Sequence, residues 1–145
     1  MPISFKWDSE KKEIVRIEIV GDWTWQEYND AVIQLIEMSN SVDHRVDFIA
    51  DMRKSGRVPA GEYSSQHLKR GSELRPENYG ITVNVGADIL TKVTFTSGDT
   101  PRLPRLYVNT IEEAYDIIKK ERTLDNLSSD KEAPEEENNQ SAPDG

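Results

Sequence analysis

Residues 14–36, IVRIEIVGDWTWQEYNDAVIQLI, contain the transition that decides the fold. Apolar and polar side chains alternate over residues 14–20, which is typical of a half-buried β-strand. Thr24 and Glu27 then have the T-x-x-E form of a capping box, in which each side chain accepts a hydrogen bond from the other residue's backbone N–H. Helical spacing follows, with an apolar face of Trp25, Tyr28, Val32, Leu35 and Ile36. A strand that leads directly into a capped helix indicates an α/β unit.

Two tryptophans flank the predicted N-cap, Thr24. Trp23 and Tyr28 occupy the two positions of a hydrophobic staple, and Trp25 lies on the apolar face of the helix. We interpret both indoles as structural, because tryptophan is usually largely buried and its N–H can bond nearby backbone. The alternative is that they stack on a ligand.

Further strands follow from the same alternation. Residues 3–8, ISFKWD, alternate and precede a turn, so they predict an antiparallel hairpin with residues 14–20. Residues 46–52 (VDFIADM) predict an internal strand, parallel to the strand that precedes the first helix. Two more strands are predicted at residues 79–86 and 105–109.

Three helical segments are predicted after the first. Pro59 opens a second helix that runs to Leu74. Asp88 caps a short helix over residues 89–95, although the Thr and Val content there also fits a strand. Thr110 opens a second capping box and a final helix. The predicted fold class is α/β, with a mixed sheet of about five strands in which an N-terminal antiparallel hairpin is followed by β-α-β-α units.

The charge of the chain is concentrated at its end. The formal net charge is -9, and residues 121–145 hold eight acids and two bases. Residues 123–145 are poor in apolar side chains and rich in Asp, Glu, Asn, Ser and Pro, a composition that cannot offset the entropy of ordering. We therefore predict one domain over residues 1–122 and a disordered acidic tail over residues 123–145.

Composition also bears on the cellular setting. The chain has no cysteine, which excludes a disulfide, a thiolate zinc site and a cysteine nucleophile. The first residues, MPISFKWDSE, lack the pattern of a signal peptide, and no apolar run could cross a membrane. We expect a soluble cytoplasmic protein with no membrane association.

Motifs for catalysis are missing from the sequence. It has no phosphate-binding loop, no nucleophile elbow, no H-E-x-x-H and no dinucleotide-binding glycine motif. His44 and His67 make a poor metal-ligand set even with Asp47 or Asp51. Ser55, His67 and Asp51 could be drawn as a triad, but nothing supplies an oxyanion hole. We predict a non-enzymatic protein without cofactor or metal, and a distributed active site is the weaker alternative.

The order of elements resembles the STAS domain and its relatives, the superfamily of bacterial anti-sigma-factor antagonists. Two stretches carry the resemblance, FIADMR (48–53) and TIEEAYDII (110–118), and it extends over residues 3–122. It implies a regulatory domain that docks a partner protein through the loop after the third strand and the second helix. In the antagonists a serine at the turn into that helix is phosphorylated. Here Pro59-Ala60-Gly61 occupies the turn, so the nearest candidate phosphorylation sites are Ser55, Ser64 and Ser65.

Basic residues cluster in residues 51–75, which carry six bases and three acids within an acidic protein. The predicted binding residues are Arg53, Lys54, Arg57, His67 and Arg70, and Arg102 and Arg105 are expected to add to them. The loops after the third and fourth strands emerge at the carboxyl ends of the strands, where α/β sheets bind ligands. An acidic protein segment or an anion fits such a cluster. Scattered solvated charges are the alternative, and nucleic acid is disfavoured by the acidic remainder.

These observations lead to two hypotheses. The first is a protein-interaction domain, with an unidentified protein partner. The second is a protein that binds a small anionic or apolar ligand in a pocket between the second helix and the sheet, indicated by the small residues Ala60, Ser64 and Gly71. The sequence leaves the oligomeric state, including a homodimer, open.

Overall fold

A computed structural model of the chain describes residues 2–59, 76–96 and 105–141. Over these residues the fold is a five-stranded sheet with strands in the order β1-β2-β3-β4-β5. The strands are β1 (Ile3–Trp7), β2 (Ile14–Gly21), β3 (Val46–Ser55), β4 (Tyr79–Val85) and β5 (Arg105–Val108). β1 pairs with β2 antiparallel, and the other neighbours pair parallel. The predicted α/β class with an N-terminal hairpin is confirmed.

Three helices are described: α1 (Trp25–Asn40), α2 (Ile89–Thr96) and α3 (Ile111–Ser141). Both predicted capping boxes are present, Thr24 with Glu27 and Thr110 with Glu113. Residues 89–95 form a helix rather than a strand, because the Asp88 carboxylate accepts a hydrogen bond from the Thr91 N–H at 2.7 Å. The second helix predicted from Pro59 to Leu74 lies outside the described residues from position 60 onward.

The two faces of the sheet bury different sets of side chains. On the α1 side, alternate residues of β2 and β3 join the helix in one hydrophobic core, which includes Val15, Ile17, Ile19, Phe48, Ala50, Leu35 and Trp23. The intervening residues of β3 and β4 point to the opposite face, where Ile49, Val83 and Val85 are buried. On β2 the same face carries Arg16 and Glu18. The face toward α1 is therefore apolar over β2 and β3 and carries the buried polar residues Thr82, Asn84 and Arg105 on β4 and β5, while the opposite face turns polar toward β1.

The aromatic residues at the start of α1 pack as the staple predicts. Trp23 is buried, and its ring centroid lies 5.1 Å from that of Trp25 and 6.0 Å from that of Tyr28. Phe95 of α2 joins the same cluster, 6.2 Å from Trp23. Because the ring of Trp23 is buried, it offers no accessible face for a ligand. Its contacts are with the aromatic rings of α1 and α2, so it packs the end of β2 against these two helices.

α3 continues past the predicted domain boundary at residue 122. Leu124 and Leu127 are exposed there, as the polar composition of the segment predicts. A segment poor in apolar side chains gains little from tertiary packing, which is the physical basis of the predicted disordered tail. The boundary itself stays a prediction. Within the described part of the chain, no helix is long and apolar enough to cross a membrane.

Candidate functional site

The candidate site is the carboxyl edge of the parallel strands, which we call the carboxyl-edge surface. It comprises the ends of β2, β3 and β4 with the residues that follow them: 21–25, 51–59 and 86–93. β2 and β3 end side by side, with Gly21 opposite Ser55. The N–H of Gly56 then donates to the carbonyl of Gly21 at 2.7 Å, which holds the two chain segments together just beyond the sheet.

The loop after β3 is held at a second point by α1. The indole Nε1 of Trp25 donates to the carbonyl of Pro59 at 3.0 Å, and Val58 is buried between these two anchors. Gly56 also lies so close to Asp22 that a Cβ there would collide with the Asp22 carboxylate. Residues 56–59 are therefore a fixed part of the surface.

Asp51 and Arg53 form the best-defined charged group of the surface. The Arg53 guanidinium donates through Nε and Nη2 to the two Asp51 carboxylate oxygens, at 2.9 and 2.7 Å. The Arg53 backbone N–H adds a bond of 3.1 Å to the same carboxylate. These bonds to Arg53 lower the pKa of the Asp51 carboxyl, against the opposing effect of its burial. These bonds to Asp51 thus fix the orientation of the exposed Arg53 guanidinium.

Gly86 brings the end of β4 against Arg53. Gly86 has φ +72°, and a Cβ at this position would lie 2.5 Å from Arg53 Cγ. The glycine therefore lets the β4 turn pass directly over the arginine stem. Beyond it, the pKa of the Asp88 carboxyl is lowered, first by the hydrogen bond from the Thr91 backbone N–H. The nearby positive charge of Arg57 also contributes to lowering it.

The remaining predicted binding and phosphorylation residues near the end of β3 differ in their exposure to solvent. Lys54 and Arg57 are exposed. Ser55 is half-buried, and its hydroxyl donates to the carbonyl of Met52 at 3.0 Å. Of the other predicted site residues, His67, Arg70, Ser64 and Ser65 lie outside the described part of the chain, and their roles stay predictions.

An apolar face of α2 completes the surface, and sequence reasoning missed it. Ile89, Leu90 and Val93 are 79%, 58% and 63% exposed. Ile89 and Val93 are one helical turn apart, so they share a face. The same helix buries Phe95 and Thr91. Four of the eight residues of this helix are apolar, and their spacing distributes them around the helix, so it cannot bury all of them. That distribution was the available signal.

Arg105 does not add to the basic cluster, contrary to expectation. It lies in β5 and is buried, 6% exposed. Its Nη1 donates to the Phe95 carbonyl at 3.1 Å and its Nη2 to the Tyr28 hydroxyl at 3.3 Å. The guanidinium also lies over the Phe95 ring, 5.3 Å from the centroid. Arg105 therefore belongs to the interior on the α1 side of the sheet.

The residues considered for a metal or a triad are engaged elsewhere. Asp47 is fully buried and accepts bonds of 2.9 Å from Arg45 Nε and from the Ile81 N–H. His44 Nε2 lies 2.9 Å from the Lys12 carbonyl, at the opposite end of β3 from Asp51. Among the described residues no group of three or more potential metal ligands exists.

Comparison with solved structures shows a shared fold. The fold is similar to that in the solved structure of the anti-sigma factor antagonist SpoIIAA in its unphosphorylated form, with a TM-score of 0.53 and 16% sequence identity, over 81% of this chain and 97% of that chain. No protein-family model and no curated protein matches the sequence. At this identity the comparison establishes a shared fold. The fold is thus the STAS-like fold that the sequence predicted.

Proposed function

We propose that this chain is a non-enzymatic regulatory domain of the bacterial cytoplasm that docks a partner protein through its carboxyl-edge surface. The observation that carries the proposal is the exposed apolar face of α2, Ile89, Leu90 and Val93, beside the arginines of the β3 loop. Exposed apolar residues rimmed by polar ones are characteristic of protein interfaces.

The chemistry of the surface indicates what the partner presents. Three aliphatic side chains call for an apolar anchor, such as the apolar face of an amphipathic helix. Arg53 and Arg57 at the rim favour acidic groups beside that anchor. The fold shared with SpoIIAA supports a regulatory role, because that protein is an anti-sigma factor antagonist.

The proposed docking does not depend on a phosphorylated serine at the turn after β3. Pro59 stands where the turn begins, and its carbonyl is bonded to Trp25. Ser55 donates its hydroxyl to the carbonyl of Met52 at the end of β3, so a phosphate there would first break that bond. The surface in this proposal is permanently competent to bind.

The test is a pull-down from a lysate of the source cells with matched surface variants of the full chain. Leu90→Asp combined with Val93→Asp places charge on the α2 face, and Arg57→Glu reverses charge at the rim. Ile33→Asp is the matched control, because Ile33 is an exposed aliphatic residue of α1. Lys11→Glu is the control for charge, since Lys11 is also exposed.

The expected result is one partner that the wild type and both controls retain. Loss of two apolar anchors weakens binding at least about tenfold, and reversal of one rim charge weakens it less. A partner that the Leu90→Asp, Val93→Asp protein retains at full strength would show that docking uses another surface. Equal loss in the Ile33→Asp protein would show that the effect is not specific to α2.

A further inference from the structure

β1 is an edge strand of the sheet. It pairs with β2 on one side, and no described strand lies on its other side. The Val20 N–H donates to the Pro2 carbonyl at 2.9 Å, and the Asp8 N–H donates to the Ile14 carbonyl at 3.0 Å. Antiparallel partners exchange backbone bonds at alternate residues, so the even-numbered residues of β1 bond to β2. The backbone N–H and C=O groups that point to the free edge are those of Ile3, Phe5 and Trp7.

A groove of about 300 Å³ lies between this edge and α1. Its floor is apolar and includes Ile3 and Phe5 of β1 and Ala31 of α1. Ile3 belongs to the hydrophobic core and Phe5 packs against it, so this side of β1 faces α1. A row of unpaired backbone groups is a template for a further strand, which lies about 4.8 Å from its neighbour. Such a strand would place alternate side chains in the groove.

The α1 wall of the groove is acidic. Glu27, Asp30 and Gln34 line it, and their spacing of three and four residues places them on one stripe of the helix. Glu27 Oε1 accepts the Thr24 N–H, and Asp30 Oδ1 accepts the side-chain amide of Gln26, each at 3.0 Å. The second oxygen of each carboxylate has no partner among the described residues. The wall can therefore accept bonds from cationic groups that enter the groove.

The chemistry of the groove selects its occupant. Lysine and arginine lay an aliphatic stem on apolar surface while their charged head reaches outward, which matches an apolar floor beneath an acidic wall. A second copy of the chain fits less well. Pairing β1 with the β1 of another molecule would bring two acidic walls to one groove, and each chain has a formal net charge of -9. The charges therefore favour a basic segment from another protein.

We propose that β1 is a docking edge for an extended basic segment of a partner protein, which adds an antiparallel strand to the sheet. Alternate Lys or Arg side chains of the segment lie over the groove floor and bond to Glu27 and Asp30. Ser4 and Lys6 are exposed on the other side of β1, so the intervening positions of the segment carry small uncharged residues. This edge shares no residue with the carboxyl-edge surface, and the inference does not rest on the docking function proposed for that surface.

The probe is the synthetic peptide TKTKTKT, blocked at both ends and added to the full ¹⁵N-labelled chain. In the free protein the backbone amides of Phe5 and Trp7 should exchange with solvent faster than those of Ser4 and Lys6. We expect saturable NMR shifts with the peptide and at least about tenfold slower exchange at Phe5 and Trp7 when it is bound. The peptide TETETET, of opposite charge, should give no saturable shift. Absence of added protection at Phe5 and Trp7 with saturating TKTKTKT would overturn the proposal.

A modified peptide separates strand pairing from attraction between charges. TKTKTKT methylated at the backbone nitrogens of its lysines keeps every positive charge but loses the donors that face β1 in an antiparallel pair. Its affinity should fall at least about tenfold. Equal affinity of the methylated peptide would show that charge alone attracts it, which contradicts an added strand.

Two charge reversals on helices test the groove itself. Asp30→Lys should weaken TKTKTKT binding about tenfold, and it leaves the capping box of Glu27 intact. Asp116→Lys is the matched control, because Asp116 is an exposed acid of α3 outside the groove and its reversal changes the net charge equally. Equal weakening in both proteins would show that the peptide senses only net charge, against the assignment.

The other occupants and the other surface are tested with the same signals. Protection of Phe5 and Trp7 that rises with protein concentration, without peptide, would assign the edge to a second copy and overturn the basic partner. The Leu90→Asp, Val93→Asp protein should bind TKTKTKT like the wild type. Failure of the docking function proposed for the carboxyl-edge surface is therefore distinguishable from failure at β1.

Discussion

The indole N–H of Trp25 donates a hydrogen bond to the carbonyl oxygen of Pro59 across 3.0 Å. Trp25 is the first residue of α1, and Pro59 follows the end of β3. The bond therefore joins the helix that precedes β3 to the loop that follows it. Together with the bond from Gly56 to Gly21, it gives the basic loop a defined position at the carboxyl edge.

Replacing Trp25 by Phe is expected to loosen this loop. The aromatic ring and its contact with Trp23 are largely kept, but the donor to Pro59 is lost, at a cost of about 1 kcal/mol. Urea unfolding should show that loss, and amide exchange at Gly56 and Val58 should become faster. Trp7→Phe, in β1, is the control for removing an indole. Unchanged exchange in the loop would mean that the Pro59 bond does not hold it.

Asp88 is expected to stabilise α2 as its N-cap rather than through its charge. Asp88→Ala removes the acceptor for the Thr91 N–H and should cost about 1 kcal/mol, whereas Asp88→Asn should cost little because Asn caps equally well. Thermal unfolding of the two variants measures the difference. If both variants lose the same stability, the carboxylate charge beside Arg57 is the important feature instead of the cap.

Local patterns were sufficient to predict most of the secondary structure. The capping box of Thr24 and Glu27 involves residues three positions apart, so its physics is visible in a short stretch of sequence. The alternation in β2 likewise reports a single half-buried strand. Such features need no knowledge of distant residues, which is why the hairpin, α1 and the start of α3 were predictable.

The site itself depended on contacts that sequence spacing does not show. Arg105 was expected to add to the basic cluster at the surface, and its burial depends on partners that the local sequence does not reveal. Its partners are Phe95 and Tyr28, and the latter lies 77 positions away. The ambiguity of residues 89–95 between helix and strand also left their exposed face undefined. The error on Arg105 and the missed exposed face of α2 both come from long-range packing, which decides which side of an element is covered.

Gly86 and Gly21 provide a matched test of close packing at the carboxyl edge. Both have positive φ, +72° and +74°, so an alanine at either position is strained by about 1–2 kcal/mol. Only at Gly86 does a new Cβ meet another group, at 2.5 Å from Arg53 Cγ, while nothing lies within 4 Å at Gly21. Gly86→Ala should therefore be the more destabilising change in urea unfolding. Most of the excess should disappear when Arg53 is also changed to Ala, which removes Cγ but keeps Cα and Cβ at 3.3 and 3.4 Å from the new Cβ. An excess that persists in full would place the clash elsewhere.

The ion pair of Asp51 and Arg53 makes a directional prediction for pH. The pKa of the Asp51 carboxyl is lowered in the folded protein because Arg53 donates to it, with burial acting in the opposite sense. A lowered folded pKa contributes stability that is fully present above the unfolded value of about 3.9 and is lost as the pH falls through the folded value.

Urea unfolding between pH 7 and pH 2.5 measures this contribution. Asp51→Asn should be less stable than the wild type at neutral pH and should lose less stability on acidification, so the two curves converge at low pH. Asp30→Asn, which removes an exposed carboxylate on α1, should follow the wild type in parallel. Parallel curves for the wild type and the Asp51→Asn protein would mean that Arg53 stabilises the neutral carboxyl as well as the charged one. The pair would then position the Arg53 side chain without contributing to the pH dependence of folding.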